Sequence, residues 1–181
     1  MEGKALDNPC ELWQNTHSEF VSREGIATVD KIDLEILHNL KQNARARASA
    51  ISTRVNLSVS AVIERIRRLE ESGIIRSFTI SVDEKQLGLD LTALMEVSLE
   101  HPKYFDAFCD MIRANPNIVD CYYLTGEFDF MLKIYTDSSD SLERIHREIK
   151  SMKGVQSTKT HFVLKSVKND VSVIPEAQPK N

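Results

Sequence analysis

Residues 55–76 read VNLSVSAVIERIRRLEESGIIR, and this stretch decides the fold of the first half of the chain. Asn56 stands where a tight turn needs positive φ, a conformation Asn tolerates better than most residues. Ser58 opens a helix in which Val59, Val62, Ile63, Ile66 and Leu69 recur on one face, and Gly73 supplies its C-terminal stop. Upstream, a short helix spans Ala48–Val55, with Ile51 and Val55 four apart. Before it, Asp30 is an N-cap with Asp33 in the first turn of a helix whose stripe is Ile32, Ile36, Leu37 and Leu40. Asn43 reads as a left-handed stop for that first helix. Downstream, Ile75 to Val82 alternates as a strand or wing would. Three helices with a short turn between the second and third, followed by a strand, make a winged helix-turn-helix.

Further outward, Leu91–Leu99 reads as a strand, leading to a helix carrying Phe105, Phe108 and Ile112 and to a strand from near Val119. The pattern then returns: strand Phe128–Tyr135, helix with Leu142, Ile145, Ile149 and Met152, strand from Val155. Two such halves joined by a hairpin at Thr125-Gly126-Glu127 make a ferredoxin-like βαββαβ domain, so the fold class is α+β. Its sheet is antiparallel with both helices on one face. Phe128, Phe130, Leu132 and Ile134 point at the helices. Asp129, Met131, Lys133 and Tyr135, with Ile118, Asp120, Tyr122 and Leu124, form a mixed second face that suits a partner chain, so a homodimer at least is expected. The domain bounds that follow are an extension over 1–28, helical in part or disordered; the winged helix-turn-helix over 29–82; a linker over 83–90; the ferredoxin-like domain over 91–168; and a tail over 169–181.

The net charge of −4 looks wrong for binding phosphate until it is divided along the chain. Residues 30–80 carry nine basic groups against six acidic, and seven of the nine are arginine. The flanking segments are both acidic, so the middle segment alone has the sign that attracts DNA. With the apolar stripe of the 58–72 helix buried, Ser58, Ala61, Arg65 and Arg68 line up on its exposed side, flanked by Ser60. Small groups at the start of such a helix let it enter the major groove of double-stranded DNA. Arg65 and Arg68 can each bond guanine in a bidentate way or clamp a phosphate.

Other function classes find little support. No apolar run approaches the ~20 residues a membrane helix needs, and the first residues lack the basic start and apolar core of a secretory signal. Three cysteines without CxxC spacing argue against a disulfide framework or a zinc site and fit a reducing cytoplasm. The five histidines have no ligand spacing, so no metal and no cofactor are expected. Phosphate-loop, dinucleotide and nucleophile-elbow motifs are missing, and an enzyme using Glu127, Asp129 and His161 as acid–base groups is only a remote alternative. An architectural DNA-binding protein without an effector is a second alternative.

The runs VDKIDLEILHNLKQNARA and NLSVSAVIERIRRLEESGIIRSFTISVDEKQLG together resemble the DNA-binding domain of the Lrp/AsnC (feast/famine) family. The run IVDCYYLTGEFDFMLKIYTDSSDSLERIHREIKSMKGVQSTKTHFVL resembles that family's regulatory domain. Asn56 departs from the family's usual Gly, a physically conservative change. The resemblance implies a transcription regulator, commonly assembled beyond the dimer into even-numbered oligomers, whose assembly or DNA affinity answers to an amino acid or related small molecule. It places the effector around the hairpin, at Gly126 and Asp129, with Thr125 and Glu127 as weaker candidates. The chemistry is apt: Gly126 leaves backbone N–H groups open to a carboxylate, and Asp129 can accept an ammonium group.

Overall fold

The computed structural model describes residues 29–170 and 172–176; the extension expected at 1–28 and the last part of the expected tail lie outside the described residues. The chain divides into two compact units, with the break between Thr79 and Ile80.

The first unit is built on α1 (Lys31–Gln42), α2 (Ala48–Val55) and α3 (Val59–Glu71). Asp30 and Asp33 close a reciprocal capping box on α1: the Asp33 N–H donates to Asp30 Oδ1 at 2.8 Å, and the Asp30 N–H to Asp33 Oδ2 at 3.2 Å. Ile36, Leu40, Ile51, Val55, Val62 and Leu69 form one buried cluster. Between α2 and α3 the chain turns at Asn56, which adopts φ 53°, ψ 48°, and Ser58 then caps α3 by accepting the Ala61 N–H at 3.2 Å. Gly73, at φ 74°, ends α3, with the Ile75 N–H reaching back to the Leu69 carbonyl at 2.9 Å.

Three expectations for this unit need correction. Asn43 is extended (φ −149°, ψ 96°) rather than left-handed; its side-chain oxygen accepts the Arg45 N–H at 3.0 Å, which turns the chain without a reversed φ. Ile75–Val82 forms no strand among the described residues. Alternation alone supplies a strand's side-chain pattern, whereas a ladder needs a second backbone alongside. Val59 and Ile63 are 43% and 55% exposed instead of lying in the apolar stripe, because only Val62, Ile66 and Leu69 keep the spacing that faces the cluster.

The second unit holds β1 (Leu91–Leu99), α4 (Phe105–Ala114), β2 (Ile118–Tyr123), β3 (Phe130–Thr136), α5 (Ser139–Ser151) and β4 (Val155–Phe162). A single 3-10 turn, Lys85–Leu87, sits in the stretch expected as a linker. The sheet order is β2-β3-β1-β4 and every pairing is antiparallel, as the ferredoxin-like arrangement requires. Met95, Val97, Phe130, Leu132 and Ile134 pack against Phe108, Ile112, Leu142, Ile145 and Ile149 of the two helices. Gly154, at φ 91°, lets the Tyr104 ring lie against the backbone; a Cβ there would stand 2.2 Å from ring carbons.

The register of β2 shifts between Ile118 and Asp120. Ile118 therefore packs with the core, not on the second face with Asp120 and Tyr122 as strict alternation predicts, since one inserted residue reverses the facing of everything on one side of it. The open face carries Asp120 near Lys133 (3.9 Å) and Glu96 between Lys159 (3.9 Å) and His161 (3.3 Å).

Candidate functional site

Helix α3 is held to α1 by a carboxylate. Asp33 is 1% exposed, and Arg65 Nη1 donates to its Oδ1 at 2.7 Å and to Asp30 Oδ2 at 2.6 Å. Arg68 Nη2 donates to the other Asp33 oxygen at 2.9 Å. Hydrogen bonds to Asp30 and then Asp33 hold the Arg65 guanidinium more firmly protonated than usual. Burial pulls the Asp30 carboxyl upward, but the Asp33 N–H and the Arg65 guanidinium outweigh it and set the group below its ordinary range.

This changes the expected geometry at Arg65. Ser58, Ala61, Arg65 and Arg68 do share a side, and Ser58 and Arg68 are exposed on it, but both arginines reach Asp33 of α1, and Arg65 is only 23% exposed. The outermost residues, opposite Val62 and Leu69, are Ser60, Glu64, Arg67 and Glu71, with Ile63 beside them. Glu64 pairs along the helix with Arg67 at 2.6 Å, and Arg67 also pairs with Glu71. Ser58 and Ser60 stay at the exposed start of α3, their hydroxyls 3.1 Å apart. Arg68 is 55% exposed. The spacing of the arginines was legible in sequence, but which of them met Asp33 depends on how α1 crosses α3.

The second candidate is the loop from Leu124 to Asp129. The Leu124 N–H donates to the Asp129 carbonyl at 2.7 Å, and the Asp129 N–H to the Val97 carbonyl at 3.0 Å. Asp129 Oδ2 accepts the Leu99 N–H at 2.7 Å, and Ser98 Oγ donates to the Glu127 carbonyl at 3.3 Å. The loop is thus tied to the end of β1, while Thr125, Gly126 and Glu127 are exposed at its tip and Asp129 is half-buried. Gly126 has φ 139° and nothing within 4 Å of where a Cβ would be, so backbone is open there. Asp129 Oδ2 is occupied by the Leu99 N–H; Oδ1 accepts no such bond among the described residues.

His161 bonds Glu96 while Asp129 bonds Leu99, so the acid–base set considered from sequence shares no hydrogen bond. Among the described residues no group of three His, Cys, Asp or Glu could hold a metal ion, and no helix is long and apolar enough to cross a membrane. The Cys121 thiol is pushed up to about 11 by burial, which disfavours the reactive thiolate. Sequence reasoning also passed over an open groove of about 1010 Å³ whose lining includes Met111, Asn117, Arg144, Glu148 and Met152; its lining residues come from separate helices and loops and form no motif.

A family described as winged helix-turn-helix DNA-binding matches residues 29–76, and one described as the Lrp/AsnC ligand binding domain matches residues 92–173. The HTH-type transcriptional regulator LrpC of Bacillus subtilis is 34% identical over 139 residues, covering 77% of this chain and 94% of LrpC. A transcriptional regulator of Neisseria meningitidis, solved as a complex with L-Met, superposes with a TM-score of 0.77 at 31% identity, covering 81% of this chain and 96% of the other. A feast or famine regulatory protein from M. tuberculosis, complexed with L-methionine, gives 0.74 at 28% identity, covering 82% and 100%.

Proposed function

The chain belongs to the Lrp/AsnC family of DNA-binding transcriptional regulators, and from that premise we propose that α3 reads the major groove while the 124–129 loop receives a free amino acid that alters the assembly or its grip on DNA. The observation that carries the DNA reading is the mounting of α3. A rigid turn at Asn56 and the Asp33 anchor fix the helix from one side, leaving its first turns projecting with Ser58, Ser60 and Ile63 exposed. Small hydroxyls fit between base edges, and an aliphatic group such as Ile63 suits a thymine methyl. Arg68 keeps part of its guanidinium available, and Arg65 acts as the mount. Two such helices in a homodimer joined through the open sheet face would meet half-sites about 34 Å apart.

Methionine is the first effector to try, because two structurally similar regulators were solved with it. Its carboxylate suits the open backbone at Gly126, and its ammonium suits Asp129 Oδ1. An effector acts only if it binds the alternative states unequally. The test of the DNA reading is Ile63→Glu, which adds a carboxylate to an exposed position and should abolish sequence-specific binding with the melting temperature unchanged; wild-type affinity in that variant refutes the placement of α3. The test of the loop is Asp129→Asn. An amide oxygen still accepts the Leu99 N–H but carries no charge for an ammonium. Ligand-induced stabilisation in a screen of amino acids should vanish while DNA binding persists, and a normal shift in that variant rules out Asp129.

A further inference from the structure

The helix that reads DNA in this proposal has little charge to offer a phosphate. Each of its three arginines already pairs with a carboxylate: Arg65 with Asp30 and Asp33, Arg67 with Glu64 and Glu71, and Arg68, through one nitrogen, with Asp33. Within α3 itself Glu64, Glu70 and Glu71 balance Arg65, Arg67 and Arg68. A guanidinium already facing a carboxylate contributes a near-neutral pair to the distant field. The positive field of the unit must come from elsewhere.

Between Glu35 and Glu64 the sequence contains no Asp or Glu, yet it contains Lys41, Arg45, Arg47 and Arg54. All four are exposed, and none makes an ion pair among the described residues. Three of them, with Asn39, Asn43 and Ala50, line one groove of about 330 Å³ beside the α1–α2 turn. Arg54 Nη1 donates to Asn39 Oδ1 at 2.5 Å. That partner orients the guanidinium without cancelling its charge. The neighbours Ala44, Ala46, Ala48 and Ser49 are small, so a phosphodiester can approach closely. No side chain caps the first turn of α2, so the helix field there acts in the same sense.

We propose that Arg45, Arg47 and Arg54 form the phosphate clamp of this protein, gripping the DNA backbone independently of sequence while α3 reads bases. The assignment rests on the DNA-binding reading above and sharpens it: affinity resides on the α1–α2 turn and α2, sequence discrimination on α3. Charge complementarity favours the polyanionic duplex over any uncharged partner, and a groove open to solvent suits a backbone passing over it.

The test is the salt dependence of binding to a mixed-sequence duplex, measured on the full chain for wild type, Arg45→Gln, Arg47→Gln, Arg54→Gln and the triple variant, with Arg147→Gln on α5 as control. Removing one arginine–phosphate pairing should lower the slope of log K against log salt by about 0.9, which is roughly 8-fold in affinity at 0.1 M salt. For the triple variant the slope should fall by about 2.7 and for the control not at all, and melting curves should confirm that each variant is folded. A triple variant that binds with the wild-type slope overturns the clamp while leaving the DNA-binding reading standing. Arg68→Gln lowering the slope as much as the triple variant also overturns it, because the grip would then lie on α3. A wild type that binds no duplex at any salt removes both.

Discussion

Replacing Arg65 with Met tests whether the mounting of α3 depends on a buried carboxylate. The substitution keeps most of the aliphatic volume and removes the bonds at 2.6 and 2.7 Å. It leaves Asp33, 1% exposed, with Arg68 as its one remaining guanidinium, and Arg68 is itself 55% exposed. Removing one partner of a buried pair costs about 3–5 kcal/mol when the other charge is stranded. The retained Arg68 bond offsets part of this, so the expected loss is about 2–3 kcal/mol, or roughly 8–24 °C in the melting temperature of so small a unit. Asp33→Leu combined with Arg65→Met removes the stranded charge and should recover part of the loss, less about 1 kcal/mol for the capping bond that Asp33 accepts from the Asp30 N–H. The pH dependence has a defined sign. The Asp30 carboxyl is held below its ordinary value of 3.8 in the folded chain, so its contribution is complete above that value and disappears as pH falls through the folded pKa. The gap between wild type and Arg65→Met should therefore narrow below about pH 4. Calorimetry and chemical denaturation of the full chain measure both quantities. A variant within about 0.5 kcal/mol of wild type at neutral pH, or a gap that widens in acid, refutes the reasoning.

Two backbone positions give cleaner tests of local geometry. Asn56→Val at φ 53° should destabilise the first unit by about 1–2 kcal/mol, whereas Asn56→Gly should hold within about 0.5 kcal/mol because Gly adopts the same conformation without a Cβ; equal losses in denaturant titrations would mean the turn is not strained. Gly154→Ala drives a Cβ to 2.2 Å from the Tyr104 ring and should cost about 2–4 kcal/mol. Gly126→Ala, with open space around it, should lose only the backbone part, about 1 kcal/mol. If melting temperatures rank those two in the other order, the approach of Tyr104 is not what requires Gly154.

The elements were legible where local chemistry and long-range packing agree. Asp30, Ser58 and Gly73 announce helix ends through groups that bond their own backbone within a few residues, so the sequence contains the whole interaction. Leu91–Leu99 was legible because Leu91, Ala93, Met95, Val97 and Leu99 recur at every second position, even with Leu94 on the other face. What sequence could not supply was the partner of each side chain. Arg65 and Arg68 look like solvent-facing cations until α1 brings Asp33 against them. Asp129 looks like an uncommitted surface acid until the end of β1 delivers the Leu99 N–H to it. Ile118 reverses its facing because of a register shift that no residue type announces. The groove lined by Arg45, Arg47 and Arg54 was hidden for a different reason: its charge is visible only as the absence of acids over a long interval.

The carboxylate of Asp33 begins one helix and seats another, because the box with Asp30 that caps α1 also receives the arginines of α3. The fastening of α3 therefore lies on its inner flank, and the residues that would touch bases under the proposed reading lie on its outer one. Ser60 and Ile63 can be exchanged during evolution without loosening the bracket that holds them. Under the proposed reading, divergence of operator preference among duplicated copies of such a regulator is uncoupled from loss of the fold, and new targets can be acquired by substitution at a handful of surface positions.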